Sequence, residues 1–321
     1  MKARVFTSAL GPAMQQLLAV RESLGYVDGR TLVLLFASFD RYVSARNHAE
    51  PWLTREIAES WAVGDSPVKP TTIARRYAAV RVLGRFVAAT YPQTYVPGPG
   101  PGVITTFRPH IYTPAEIHAL LNVASRVGSR YPRLFVTLFG LLYCTGLRVS
   151  EALSLRLSDV DLDGNLLIVR NTKFHKSRAV PLQPDAKRAL IAYAEARSGS
   201  GRSTDPDSPF FVSRSNRPCS YSWIHANFRA ILRQAGLLCG ITGERGPRLH
   251  DLRHTFAVHR LLAWYRDGGD VQARLPLLTT YLGHATLAST QVYLNITAEL
   301  LHEAARRFEA PAFAQRAGDA V

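Results

Sequence analysis

Apolar residues recur at helical spacing along the first part of the chain. Leu32, Leu35, Phe36, Phe39 and Tyr42 form one such series, and Ile73, Tyr77, Val80, Leu83 and Phe86 another. In the second series Arg75, Arg76, Arg81 and Arg85 fall between the apolar positions, which gives a helix with one buried and one basic face. Residues 1–95 therefore read as all-helical. Pro97-Gly98-Pro99-Gly100-Pro101-Gly102 then interrupts every regular structure and marks a linker over 96–109. Thr113-Pro114-Ala115-Glu116 opens the next helix with a capping box and a proline at the first helical position. The apolar run Leu134–Cys144 predicts a buried helix that stops at Thr145-Gly146. Asn165–Thr172 and Ser177–Leu182 are rich in Leu, Ile and Val and predict an antiparallel hairpin around a basic turn.

Helices follow around 184–197, 220–236 and 249–265, with polar loops at Gly199–Pro209 and Asp267–Asp270. Residues 297–309 carry Leu300, Leu301, Ala304, Ala305 and Phe308 on one helical side. No internal repeat is visible. The expected fold is mainly α: a helical N-terminal domain (1–95), a linker (96–109), a mostly helical larger domain with a small antiparallel β-sheet (110–296), and a C-terminal helix and tail (297–321).

Composition narrows the class. With 47% apolar and 20% charged residues among 321, the chain is a packed globular protein and not a disordered one. Leu134–Cys144 is too short for the ~20 apolar residues that span a bilayer. Met1-Lys2-Ala3-Arg4 is not followed by an apolar signal core, and Cys144, Cys219 and Cys239 have neither metal-ligand nor disulfide spacing. These features predict a cytoplasmic protein without a membrane partner.

Charge adds a partner. Lys and Arg number 39 against 24 Asp and Glu, a net +15, distributed as +5 over residues 1–107 and +10 over the remainder. Only five of the basic residues are lysines. The planar arginine fork suits phosphate oxygens, so the excess fits a nucleic acid as well as a solvated surface.

Chemistry concentrates at four places. In His250-Asp251-Leu252-Arg253-His254, His250 and Arg253 lie one helical turn apart, with Leu252, Phe256 and Ala263 expected on the opposite, core-facing side. A cation beside an imidazole suits a phosphate whose charge changes during reaction. The pair His250 and His254 also fits a metal or two partly buried histidines, although no Glu or Cys nearby completes a ligand set. Arg148 opens a helix after Thr145-Gly146-Leu147, a natural phosphate seat or a salt bridge to Glu151. Lys173, Lys176 and Arg178 crowd the hairpin turn, as a clamp on nucleic acid or an exposed loop. Gly283-His284 precedes Tyr293 by nine residues from the histidine, and a lone tyrosine is as readily core as catalytic.

In this order and spacing, Thr145-Gly146-Leu147-Arg148-Val149-Ser150-Glu151, the basic hairpin, His250-Asp251-Leu252-Arg253-His254-Thr255-Phe256-Ala257, and Leu282-Gly283-His284 with Tyr293 resemble the tyrosine recombinase (phage integrase) family. The resemblance covers roughly 110–300. The N-terminal helices are similar in layout to that family's core-binding domain, which clamps DNA.

The resemblance implies a DNA strand-exchange enzyme that needs neither ATP nor metal nor other cofactor. Tyr293 is the implied nucleophile, forming a 3′-phosphotyrosyl bond and releasing a 5′-hydroxyl. Arg148 and Arg253 are implied to hold the non-bridging oxygens, and Lys173, with Lys176 as fallback, to protonate the leaving 5′-oxygen. His250 is implied to assist proton transfer from the tyrosine, and His284 to hydrogen-bond the phosphate. Glu151 and Asp251 would orient the site. Further DNA contacts are expected from Arg75, Arg76, Arg81, Arg85, Lys176 and Arg178. The implied partners are double-stranded DNA carrying specific recombination sites, a homotetramer on synapsed DNA, and helper proteins. Integration, excision or transposition of a mobile element is the leading role. A chromosome-dimer-resolving recombinase, a type IB topoisomerase-like enzyme and a catalytically silent accessory protein are the alternatives. One departure from compact members is extra length at Tyr265–Arg274, expected as a loop. The C-terminal helix is expected to dock either on its own domain or on a neighbouring subunit.

Overall fold

The computed structural model describes residues 5–26, 30–64, 67–102, 108–126, 133–170, 177–213, 215, 217–238 and 246–314. Two compact units divide the chain between residues 106 and 107.

The first unit contains four helices among its described residues: α1 (Gly11–Ser23), α2 (Arg30–Ala45), α3 (Arg55–Val63) and α4 (Pro70–Val87). Thr54 caps α3, and Pro70 starts α4 where its missing N–H costs nothing. Leu10, Met14, Phe36, Phe39, Trp61, Val80 and Leu83 form the core between them. Phe39 and Trp61 pack with ring centroids 4.9 Å apart. From the two apolar series, Phe36, Phe39, Val80 and Leu83 are buried, whereas Leu32, Leu35, Ile73 and Phe86 flank them half-buried.

The second unit is built around α6 (Leu134–Thr145), which packs against α5 (Pro114–Arg126), α8 (Pro184–Ser198) and α10 (Asp251–Arg266). Glu116 N–H donates to Thr113 Oγ1 and Thr113 N–H to Glu116 Oε2, the reciprocal cap that fixes where α5 begins. The remaining helices are α7 (Val149–Leu153), α9 (Tyr221–Gln234), α11 (Val271–Leu282), α12 (Ala288–Gln291) and α13 (Ala298–Ala314). The sheet is antiparallel in the order β1 (Val160–Asp161), β2 (Leu166–Val169), β3 (Arg178–Pro181). Leu167, Val169 and Val180 point into the core, so alternation pins the register with Leu167 opposite Val180.

Three expectations change. The sheet has a third strand, β1, too short at two residues to leave a pattern. The segment Tyr265–Arg274 is mostly helix: it completes α10, turns at 267–270, and begins α11 under an Asp270 cap that accepts from Ala273 N–H. Ala263 is exposed rather than core-facing, because α10 is buried on nearly every side along its first two turns and then turns one face outward at Arg260 and Ala263. The turn holding Lys173 and Lys176 lies outside the described residues.

Candidate active site

Two glycines end helices at the site. Gly146 closes α6 at φ 62° and Gly283 closes α11 at φ 66°, both left-handed. A Cβ on Gly146 would meet Phe256 Cδ1 at 2.5 Å, and one on Gly283 would meet Arg178 Nη1 at 2.8 Å. Only glycine permits both the turn and the close approach.

Arginines converge on these helix ends. Arg253, 1% exposed in the first turn of α10, donates through Nη1 to Gly146 O (2.8 Å) and through Nη2 to Leu282 O (2.7 Å). Carbonyls at helix C-termini carry partial negative charge, so they orient the guanidinium without neutralising it. Burial, then the neighbouring Arg148, lower its pKa to about 10, and it stays charged at neutral pH. Arg148 sits at the N-cap of α7 and donates through Nη2 to Gly283 O (3.1 Å).

Glu151 binds these groups together. It accepts from Arg148 N–H (2.9 Å), Arg148 Nη1 (2.8 Å), and Arg178 Nη1 and Nη2 (3.1 and 2.9 Å), and lies 4.0 Å from Arg253 Nη1. Burial pushes its pKa up, but the hydrogen bonds from Arg178 and Arg148 and the Arg178 charge outweigh it and bring the carboxyl to about 2. Three guanidinium groups around one carboxylate leave the centre with a charge of +2, which an anion would relieve.

Histidines and the tyrosine complete the floor. Tyr293 is 4% exposed, in a 3₁₀ turn over Val292–Asn295. Its ring lies parallel to His284 (19°, centroids 6.1 Å) and 5.5 Å from His254, whose ring in turn meets His250 edge-on at 4.8 Å. Burial raises the Tyr293 pKa, while the charge and hydrogen bond of Arg253 and the charge of Arg148 pull the other way. His250 reaches the surface at the start of α10 while its ring edge stays packed. Desolvation leads, followed by Arg253 and Arg248, in lowering its pKa to about 4. His254 and His284 are also brought to about 4, by desolvation first and then by His250 and by Arg253 respectively. All three imidazoles are neutral at pH 7. Asp251, 2% exposed, accepts from Arg248 N–H and Nη2, both at 2.8 Å, and so fixes the turn that presents His250.

The structure thus brings Arg148, His250, Arg253, His284 and Tyr293 together. Lys173 and Lys176 lie outside the described residues. Arg178, expected on a DNA-facing turn, instead points inward, forked onto Glu151 and donating through Nε to Tyr281 O (2.8 Å). Among the arginines of α4, Arg76 donates to Trp61 O and Arg81 to Pro97 O and Gly98 O, whereas Arg75 and Arg85 are exposed. Arg76 and Arg81 therefore hold the first unit together. His254 joins the site as a ring against the tyrosine, and its only mark in the sequence is its i, i+4 spacing from His250. Among the described residues no three His, Cys, Asp or Glu side chains converge as metal ligands. No described helix is long and apolar enough to cross a membrane.

Known proteins resemble this chain. Residues 111–299 match the model of the phage integrase family. The chain is 37% identical to the putative integrase/recombinase y4rB of Sinorhizobium fredii, over 94% of this chain and 98% of that protein. It is 32% identical to the tyrosine recombinase XerD of Caulobacter vibrioides, over 74% and 75%. Among solved structures, the Tn1549 transposon integrase in complex with transposon right end DNA matches with a TM-score of 0.66 at 17% identity, covering 94% of this chain and 99% of that one. The XerH recombinase bound to a palindromic difH substrate matches at 0.63 and 19%, covering 87% and 79%.

Proposed function

The chain belongs to the phage integrase family of tyrosine recombinases, DNA strand-exchange enzymes, and on that premise we propose that it cuts and rejoins DNA at specific sites through a 3′-phosphotyrosyl bond. The observation that carries this reading is Tyr293 seated against Arg253 inside an arginine cluster that lacks a full counter-charge.

The chemistry follows from that geometry. A DNA phosphate entering the centre supplies the missing negative charge, and Arg148 and Arg253 hold its non-bridging oxygens as charge grows in the transition state. Tyr293 Oη attacks phosphorus and the bond to the 5′-oxygen breaks. Lys173 delivers a proton to that oxygen, and the tyrosine proton passes into the histidine cluster, with His250 assisting and His284 bonding the phosphate. The phosphotyrosyl bond keeps the energy of the broken ester, so rejoining to another 5′-hydroxyl needs no ATP. Glu151 positions Arg148 and Arg178 throughout and does not react.

In this reading the N-terminal unit, with Arg75 and Arg85 outward, is the half of the clamp that grips the DNA backbone. Four copies act on two synapsed sites. A mobile-element role rests on the full-length similarity to a relative named integrase/recombinase; the XerD similarity favours chromosome-dimer resolution as the second reading.

Trapping decides the central step. The protein and a Tyr293→Phe control are incubated with nicked duplexes drawn from the DNA around its gene. Denaturing gels score linked protein, and mass spectrometry locates the linked residue. An adduct at Tyr293 that the control lacks is expected. Tight binding without any adduct would favour an accessory DNA-binding role.

A further inference from the structure

The end of α6 away from the catalytic centre holds a second group of arginines without a counter-charge. Gly146, at the C-terminus of α6, meets Arg253, whereas Leu134 begins the helix about 18 Å away. At Leu134 lies a narrow cleft that Arg197, Arg202, Tyr193 and Val212 also line. None of these residues enters the mechanism above.

Arg197, in the last turn of α8, is 4% exposed. It donates through Nη1 to Ser203 O and through Nη2 to Pro209 O (3.2 Å), and its buried Nε has no hydrogen-bond partner. Arg202, half-buried in the loop after α8, donates through Nη1 to Ser213 O (2.5 Å). These bonds use only part of two five-donor forks, and all three acceptors are neutral carbonyls. Among the described residues neither arginine has a carboxylate partner. A buried charge is ordinarily paired, because its removal from water is costly. Burial holds the Arg197 pKa below its usual value; Tyr193 opposes this, and the Arg202 charge adds to it.

The rest of the cleft favours an anion. Helix α6 starts there with no side-chain cap from Arg133 and no acidic residue in its first turn, so its leading N–H groups add positive potential. Tyr193 Oη accepts from Val212 N–H (3.4 Å), which leaves its own proton to give. The interior amounts to about 20 Å³, room for one or two oxygen atoms and not for a sugar or a base.

We propose that this cleft is an anion site that takes the oxygens of one phosphate group between Arg197 and Arg202. Two guanidinium forks suit a tetrahedral group with several oxygens better than a planar carboxylate, which pairs with one fork alone. The phosphate comes from one of two sources: the DNA backbone away from the cleavage point, or inorganic phosphate in solution. The cleft is no part of the catalytic centre, so its test is independent of the strand-exchange reading.

That test uses the full-length protein labelled with 15N-arginine. The Nε–H signals of Arg197 and Arg202 are identified by their loss in Arg197→Lys and Arg202→Lys, and inorganic phosphate is titrated at constant ionic strength set with sodium chloride. Both signals are expected to shift together and to saturate. Arg202→Gln should weaken the saturation read at Arg197 about tenfold. Should Arg197→Lys not fold, the titration is read at Arg202, whose signal its own variant identifies. Duplex DNA then separates the sources. Arg202→Gln should lower the slope of log affinity against log salt by ~1 if the backbone is the ligand, and leave it unchanged if free phosphate is. Signals that do not saturate, that move equally with chloride alone, or that saturate unaltered in Arg202→Gln would overturn the inference.

Discussion

Arg178 forks onto Glu151 through both terminal nitrogens, 3.1 and 2.9 Å from the two carboxylate oxygens. With both side chains largely shielded from water, the pair acts as a brace behind Arg148 and not as a surface contact. Glu151→Ala should destabilise the protein by about 3–5 kcal/mol, since three guanidinium groups lose their shared partner. Glu151→Gln should cost less and still depress cleavage, because Arg148 loses its charged anchor. Urea unfolding and adduct yield measure the two effects. A Glu151→Ala protein as stable as wild type would contradict the brace.

Backbone geometry gives the second prediction. Gly146→Ala forces a side chain into the left-handed region and against Phe256, and it shifts the carbonyl that holds Arg253. A loss of about 2–4 kcal/mol is expected, together with most of the cleavage activity. Gly268→Ala is the control. It has φ 80° but nothing within 4 Å of the added Cβ, so about 1 kcal/mol and full activity are expected.

Acid should lower stability over two pH windows. His250, His254 and His284 take up protons at about 4 when folded but near 6.5 when unfolded. Between those values the unfolded chain binds more protons, so stability falls as pH drops from 6.5 toward 4. Glu151 acts lower: its folded value of about 2 against 4.5 unfolded adds stability that is lost only below pH 4.5. Melting temperature against pH measures both, and His254→Gln should flatten the upper window. A curve level from pH 7 to 4.5 would contradict the histidine shifts.

The arginines of α4 should separate by role. Arg75→Ala and Arg85→Ala should each weaken DNA binding and reduce the slope of log affinity against log salt by ~1, with stability unchanged. Arg81→Ala should instead speed proteolysis near Pro97 and Gly98, whose carbonyls it holds. Equal salt slopes for all three variants would reject the division.

Much of this was legible from spacing alone. The apolar series located α2 and α4, the apolar run located α6, and the reciprocal cap at Thr113 and Glu116 located the start of α5 to the residue; α1 and α3 left no comparable series. The neighbourhood of Arg148, Arg253, His284 and Tyr293 was legible because motif order survives folding. Less legible were features that arise only when distant segments meet. Arg178 looked like one more cation on a basic turn, because nothing local says that Glu151, 27 residues earlier, will face it. Thr290 left no signal in the sequence, because its contacts with Thr279 and His284 exist only once the helices have packed. Ala263 was misplaced because a helical wheel assumes one buried face, and α10 is buried on several.

Each chain seats its own Tyr293 against its own Arg253. This has a genetic consequence. If a copy cuts only with residues it carries itself, a Tyr293→Phe copy and an Arg253→Ala copy repair nothing in each other, and mixing the two stays inactive. Either defective copy could still occupy a place in a shared assembly. Such alleles would then act as dominant poisons of the wild type, and neither would be rescued by the other.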